Sequence, residues 1–252
     1  MTMIASENPK GLARQAGMTF LRHGPGAEAP FDLQRLRYQI YCQEEQFLDS
    51  RLYPHSMESD GFDVHSAHVA AYDQSGKLIG GLRLVLDSPV GFPLEQHTKS
   101  LAALQTLPRR KTAEISRLVM TRAYRGGSSL HTDTAVLLGL FKAMYEESVA
   151  QELEYWVAGI EPCLWRLLRR FGFQFDPIEP AIEYYGEVMP CLGDIRKIER
   201  LVAEKHPEVF KQFHPKAKSV TVKGINRSPF ELTHQVGSAQ VNRTKEIAER
   251  DV

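Results

Sequence analysis

The stretch Thr112–Arg125, Thr-Ala-Glu-Ile-Ser-Arg-Leu-Val-Met-Thr-Arg-Ala-Tyr-Arg, constrains this chain more than any other. Ile115, Leu118, Val119 and Met120 mark a buried strand, and the Gly126-Gly127-Ser128-Ser129 turn after it leads into a helical pattern. Yet Glu114 and Arg117 stand inside the apolar run. A charge taken out of water costs several kcal/mol unless it is paired, so two charges in a central strand imply a site. In a regular strand, residues three apart point to opposite faces. A bulge within Ile115–Leu118 is the device that brings both side chains to one face, and the spacing predicts one there.

Around this strand the pattern alternates. Asp32 is the expected N-cap of a helix running from Leu33 to about Gln46, with Leu33, Leu36, Arg37, Ile40 and Tyr41 on one face. Arg37 on that stripe either snorkels to solvent or is paired. A loop rich in acids and histidines, Glu58 to His68, leads into a hairpin: Val69–Tyr72, the turn Asp73–Gly76, then Lys77–Leu86, with Arg83 on the face shared by Gly81 and Val85. A short helix is expected near Gln96–Leu104. Beyond the central strand, Thr132 or Asp133 caps a helix to about Gln151. Then follow a strand at Leu153–Ile160, a helix from Glu161-Pro162 to Gly172, strands at Phe173–Phe175 and Ile182–Met189, and a helix at Asp194–Lys205. This order predicts a mixed α/β sheet flanked by helices. The expected organisation is a flexible lead at 1–17, one domain at 18–205 and a partly mobile extension at 206–252.

Composition excludes some classes. Lys and Arg balance Asp and Glu at 31 each, without the basic excess of a nucleic-acid binder. Cys42, Cys163 and Cys191 are an odd number without a pairing pattern, which suggests a reducing, cytoplasmic setting. No apolar run reaches membrane length, and Met1–Lys10 lacks the apolar segment of a secretory signal.

Four ordered motifs carry a resemblance: Arg37-Tyr-Gln-Ile-Tyr41, Glu58-x-Asp60-x-x-Asp63, Gly80-Gly-Leu-Arg83-Leu and Glu114-Ile-Ser-Arg117. Together they resemble the autoinducer-synthase and N-acyl amino acid synthase branch of the GNAT acyltransferase superfamily. The wording Arg37-Tyr-Gln-Ile-Tyr-Cys42 with Phe47-Leu-Asp49 is most similar to acyltransferases associated with PEP-CTERM/exosortase systems. The resemblance implies the α/β GNAT (acyl-CoA N-acyltransferase) fold. It implies transfer of a medium- or long-chain acyl group from an acyl carrier protein or CoA thioester to the amino group of an amino acid or related amine, with no permanently bound cofactor; the residues themselves suggest no metal, since no distant ligand accompanies the acids and histidines of the loop. It places a charged cluster at Arg37, Asp60, Asp63, Arg83, Glu114 and Arg117, with an aromatic pair at Tyr41 and Phe47. Homoserine-lactone synthases typically carry tryptophan where Phe47 stands. Donor binding falls on Leu118 and Met120 of the strand, whose backbone would face the thioester, and on Arg125, Gly126, Gly127 and Ser128 at the phosphate, though the glycines are displaced from the usual pyrophosphate turn. A single pantetheine phosphate asks less of such a loop, which favours a carrier protein, and Arg122, Arg125, Arg166, Arg169 and Arg170 offer it a basic docking face.

Aminolysis of a thioester needs a neutral amine, a polarised carbonyl and a dry acyl chain. Glu114 is the expected general base, against a purely structural pairing with an arginine. Arg83 and Arg117 are candidates for binding an acceptor carboxylate or for orienting the acids, and Asp60 and Asp63 for its ammonium or for clamping Arg37; the alternative is that these four form a buried structural ion network. Tyr184 or Tyr185 is the candidate donor of a proton to the leaving thiolate. Rival readings are a metal held by Asp60, Asp63, His65 and His68, an acylated Cys42, an acyl-homoserine-lactone synthase, and a non-catalytic acyl-ligand or carrier-binding module.

Overall fold

The computed structural model describes residues 13–15, 17–98, 102–125 and 130–213. They belong to one unit, residues 1–215; residues 216–252 form another and lie outside the described residues. Strands β1 (Ala13–Gln15) and β2 (Met18–His23) open the unit, followed by helix α1 (Phe31–Tyr38), β3 (Ser66–Tyr72), β4 (Leu78–Val85), α2 (Ala102–Gln105) and β5 (Thr112–Met120). Then come α3 (Leu130–Ala150), β6 (Tyr155–Ile160), α4 (Pro162–Arg170), β7 (Asp176–Pro177), β8 (Ile182–Glu183), β9 (Glu187–Asp194), α5 (Ile195–Lys205) and α6 (Pro207–Phe213).

The sheet order is β1-β2-β3-β4-β5-β6-β9-β7, with β8 paired to β9. Among the described pairs only β5 and β6 run parallel, joined by the α3 crossover. The larger core lies on the α3 side of the sheet, where Ala113, Ile115 and Met120 meet Val136, Leu140 and Phe141. On the opposite face α1 seats Leu33, Leu36 and Ile40 against Val119. Gly81 makes that approach possible: a Cβ there would lie 2.5 Å from Leu33 Cδ1 and 2.8 Å from the Val69 carbonyl oxygen. Gly81→Ala is therefore expected to destabilise the protein by about 1–3 kcal/mol in denaturant unfolding; an unchanged midpoint would contradict this close packing.

Several sequence expectations are revised. Helix α1 begins two residues earlier, with Pro30 as N-cap, while the Asp32 carboxylate accepts from the adjacent Leu33 N–H at 2.9 Å. It gives way at Gln39–Glu44 to a π-helical turn that carries Tyr41 and Cys42. The expected Gln96–Leu104 helix is a 3₁₀ turn, Pro93–Gln96, and the short α2. Phe173–Phe175 is not a strand; both rings are buried in the main core. The single strand expected over Ile182–Met189 is a hairpin, because Tyr185 and Gly186 take positive φ (53° and 97°) and turn the chain. Ala13–Gln15 within the expected lead is a strand. Helix α6 lies within the expected extension and buries Val209 and Phe213. No helix of the described residues is long and apolar enough to cross a membrane.

Candidate active site

The bulge expected in β5 is present. Gly81 faces Val119 and Gly80 faces Met120, but Arg83 faces Ser116 and Val85 faces Glu114, so Leu82 lies opposite both Arg117 and Leu118. Arg117 is the residue that absorbs the extra step, with φ at +51°. Ala113, Ile115, Leu118 and Met120 consequently face the main core, while Glu114, Ser116, Arg117 and Val119 share the α1 face. Without the bulge Arg117 would point into the α3 core.

The sheet also opens here. Pairing of β5 with β6 runs from Thr112–Tyr155 to Glu114–Val157 and stops, although β5 continues to Met120 and β6 to Ile160. A cavity of about 200 Å³ occupies the gap. Glu114, Arg117, Tyr41 and Tyr184 line its α1 side; Phe141, Leu164, Leu168 and Phe175 line its other end. A polar mouth on one face of the sheet thus continues into an apolar end on the other.

Glu114 is 1% exposed and sits between its register partners Val85 and Val157, both fully buried. It accepts a hydrogen bond from the Leu94 N–H at 2.8 Å and makes no ion pair among the described residues. The alternative in which it serves only to pair with an arginine is therefore not what the structure displays. Burial in this apolar setting pushes its carboxyl up to about 8, against a smaller opposing pull from the Leu94 N–H, Arg83 and Arg117.

The other charges form one network. Arg37 is 1% exposed, not snorkelling; its Nε donates to Glu58 and its Nη atoms to Asp63 at 2.9 and 3.2 Å. Arg83 donates to Asp60 at 2.5 Å, to Asp63 at 2.8 Å and to the Ser116 hydroxyl at 3.0 Å. Arg117 donates to Glu58 at 3.1–3.2 Å and to Asp60 at 3.0 Å. Burial raises the Asp63 carboxyl, but Arg37 and Arg83 outweigh it and hold Asp63 well below the usual carboxylate range.

An arc of rings borders the mouth. Tyr41, Phe47, Tyr185, Tyr184 and His97 follow one another with centroids 3.9–6.4 Å apart. Arg117 lies over Tyr41 and Tyr185 at 5.3 and 5.7 Å, and the Tyr41 hydroxyl donates to the Leu118 carbonyl at 3.4 Å. Burial, and after it the charge of Glu114, raise the pKa of Tyr184. Tyr184 reaches this position because it sits at the tip of the β8–β9 hairpin, not within a strand.

Other candidates fall elsewhere. Met120 is buried in the main core beside Gly80. Arg125, expected at the donor's phosphate, is held by Glu44 and, at 2.9 Å, by Glu45, and Arg122 lies 3.6 Å from Glu44; the acids at the end of the π-helical turn claim both. Gly126, Gly127 and Ser128 lie outside the described residues. Arg166, Arg169 and Arg170 are exposed on α4, with Arg169 over the Trp165 ring. Asp60 and Asp63 are engaged by arginines and His68 faces the Asp63 carbonyl at 3.3 Å; no metal-holding group of three His, Cys, Asp or Glu occurs among the described residues. Cys42 is buried, its thiol pushed up by burial and then by Glu58, the reverse of an activated nucleophile. Sequence reasoning omitted Glu58 and Ser116 from the cluster and left His97 unmarked. Glu58 stands two residues before Asp60 in the motif already singled out, and that was its only signal.

Residues 36–133 match a family model described as an acetyltransferase (GNAT) domain. Among solved structures, the chain is similar to BjaI, a CoA-dependent acyl-homoserine lactone synthase with SAM and isopentyl-CoA. That match has a TM-score of 0.54 at 24% identity, covering 71% of this chain and 81% of that one. The chain has the GNAT fold. The same fold relates it to the acyl-homoserine lactone synthase LasI (TM-score 0.55, 19% identity, 71% and 90% covered). It also relates it to FeeM, an N-acyl amino acid synthase from uncultured soil microbes (TM-score 0.50, 15% identity, 72% and 93% covered). A comparison with curated proteins found no match. The cavity described above lies where the parallel strands β5 and β6 part.

Proposed function

We propose that this protein is an N-acyltransferase that moves a fatty acyl group from a phosphopantetheine thioester to the amino group of an amino acid or related amine. The observation that carries this reading is the cavity through the sheet, which joins a buried, high-pKa carboxyl to an apolar end. The acyl chain lies towards Phe141, Leu168 and Phe175, away from water. The thioester carbonyl meets the β6-facing edge of β5 beyond Glu114, where β6 no longer pairs with it and peptide N–H groups can stabilise the developing oxyanion. The amine attacks from the α1 side, with Arg117 and Asp60 orienting it. As the carbon–nitrogen bond forms and the carbon–sulfur bond breaks, Glu114 accepts the ammonium proton. Tyr184 gives a proton to the departing thiolate and is reprotonated at the expense of the proton that Glu114 took up, so that both side chains end as they began. No acyl-enzyme is formed.

The thioester is carried by an acyl carrier protein or CoA. Exposed Arg166, Arg169 and Arg170 on α4 support an acidic carrier as partner. The Arg37–Cys42 wording supports placement with the PEP-CTERM/exosortase-associated acyltransferases, and the free thiols of Cys42, Cys163 and Cys191 agree with the cytoplasm. Mass spectrometry of lipids from cells expressing the protein tests the reading. Acyl amino acids absent from cells carrying Glu114→Gln are the expected result; acyl-homoserine lactones in their place would overturn the acceptor assignment.

A further inference from the structure

We propose that Glu58 is a positioning residue: it aims Arg117 across the mouth of the cavity and neutralises it there. The proposal deepens the N-acyltransferase reading, since Arg117 is the network member that lines the cavity. Glu58 is fully buried in the loop before Asp60, and its backbone N–H donates to the Gln34 carbonyl at 3.0 Å, which ties that loop to α1. One carboxylate oxygen accepts from Arg37 Nε; the other accepts from Arg117 Nε at 3.2 Å and Nη2 at 3.1 Å. Asp60 takes Nη2 from the other side at 3.0 Å. The guanidinium is thus gripped along one edge. Nη1 has no protein partner among the described residues and remains available to an acceptor's carboxylate or carbonyl oxygen.

The charges close as well as the geometry. Arg37, Arg83 and Arg117 face Glu58, Asp60 and Asp63, so the formal charges of the network cancel. Glu58 touches two of the three guanidiniums; without its charge the network carries one uncompensated positive charge beside Glu114. The groups acting on Glu114 are Arg83 on β4, Arg117 on its own strand, Glu95 on the Pro93–Gln96 turn and Tyr184 at the β8–β9 tip, against which His97 stacks. An uncompensated guanidinium favours the ionised carboxylate, and an uncompensated carboxylate disfavours it.

Carboxyl ¹³C NMR titration of Glu114 tests this without needing turnover, its resonance assigned by its loss in Glu114→Gln. Glu58→Gln is expected to move the Glu114 midpoint down by about half a pH unit or more, and Arg37→Gln to move it up. The double variant Arg37→Gln/Glu58→Gln restores neutrality and is expected to return near the wild-type midpoint. A Glu58→Gln midpoint that coincides with wild type or rises would overturn the proposal. Should Glu58→Gln fail to fold, a double variant that titrates no nearer to wild type than Arg37→Gln alone would overturn it equally. Absence of thiol release by the wild type would sink the N-acyltransferase reading while leaving these midpoints readable.

Discussion

Glu114→Gln is expected to lower turnover by about 10²–10⁴-fold with the fold intact. Glutamine keeps the shape, and its carbonyl still accepts from the Leu94 N–H, but it cannot take a proton from an attacking amine. Folding is checked by circular dichroism, turnover by thiol release. In the wild type, kcat/KM should rise with pH and level off above about 8, where the carboxyl ionises. The same group fixes a sign for stability. Its folded pKa, about 8, lies above the ordinary 4.5, so the folded state holds the proton more tightly through that window. The stabilisation is fully present below about 4.5 and is lost as pH rises through about 8. Glu114→Gln removes this dependence, and its melting temperature should fall less than the wild type's between those limits. Parallel curves for the two proteins would argue against a buried, high-pKa carboxyl.

The largest stability effect is expected at Arg37. Replacing it with methionine leaves Glu58 without the Nε donor and Asp63 without two of its donors, in a site where Arg37 is 1% exposed. Breaking a buried pair from one side costs about 3–5 kcal/mol, a fall in melting temperature of roughly 10 °C. The exposed pair between Arg51 and Asp49 is the control: Arg51 is 88% exposed, and Arg51→Gln should leave the melting temperature essentially unchanged. Equal effects at the two positions would contradict the reading of Arg37 as the buried root of the network.

How far the site was legible in the sequence depended on whether local spacing encoded it. Glu114 and Arg117 were legible because two charges in an apolar strand need partners, and their odd separation required a bulge. The β3–β4 hairpin was legible from Asp73-Gln-Ser-Gly76, whose Asp73 carboxylate accepts from the Ser75 and Lys77 N–H groups. The β8–β9 hairpin was not. Tyr-Tyr-Gly carries only one glycine, and Tyr185 holds a left-handed conformation that its residue type disfavours. That turn brings Tyr184 and Tyr185 to the mouth. The π-helical turn at Gln39–Glu44 was equally hidden, since apolar spacing from Leu33 to Tyr41 fits an ordinary helix. The engagement of Arg125 by Glu44 and Glu45, 81 and 80 residues away in sequence, follows from tertiary placement that no local pattern records.

Under the proposed function, the opening between β5 and β6 carries out thioester aminolysis, with acyl chain and amine entering from opposite faces of the sheet. Free-thiol release from a purified acyl-thioester donor, followed with and without an amino acid acceptor, tests it most directly. Amine-dependent thiol release, matched mole for mole by amide product and lost in Glu114→Gln, is the expected result. Tight binding of the acyl thioester with no thiol released by any amine would contradict it and leave the protein a binding module.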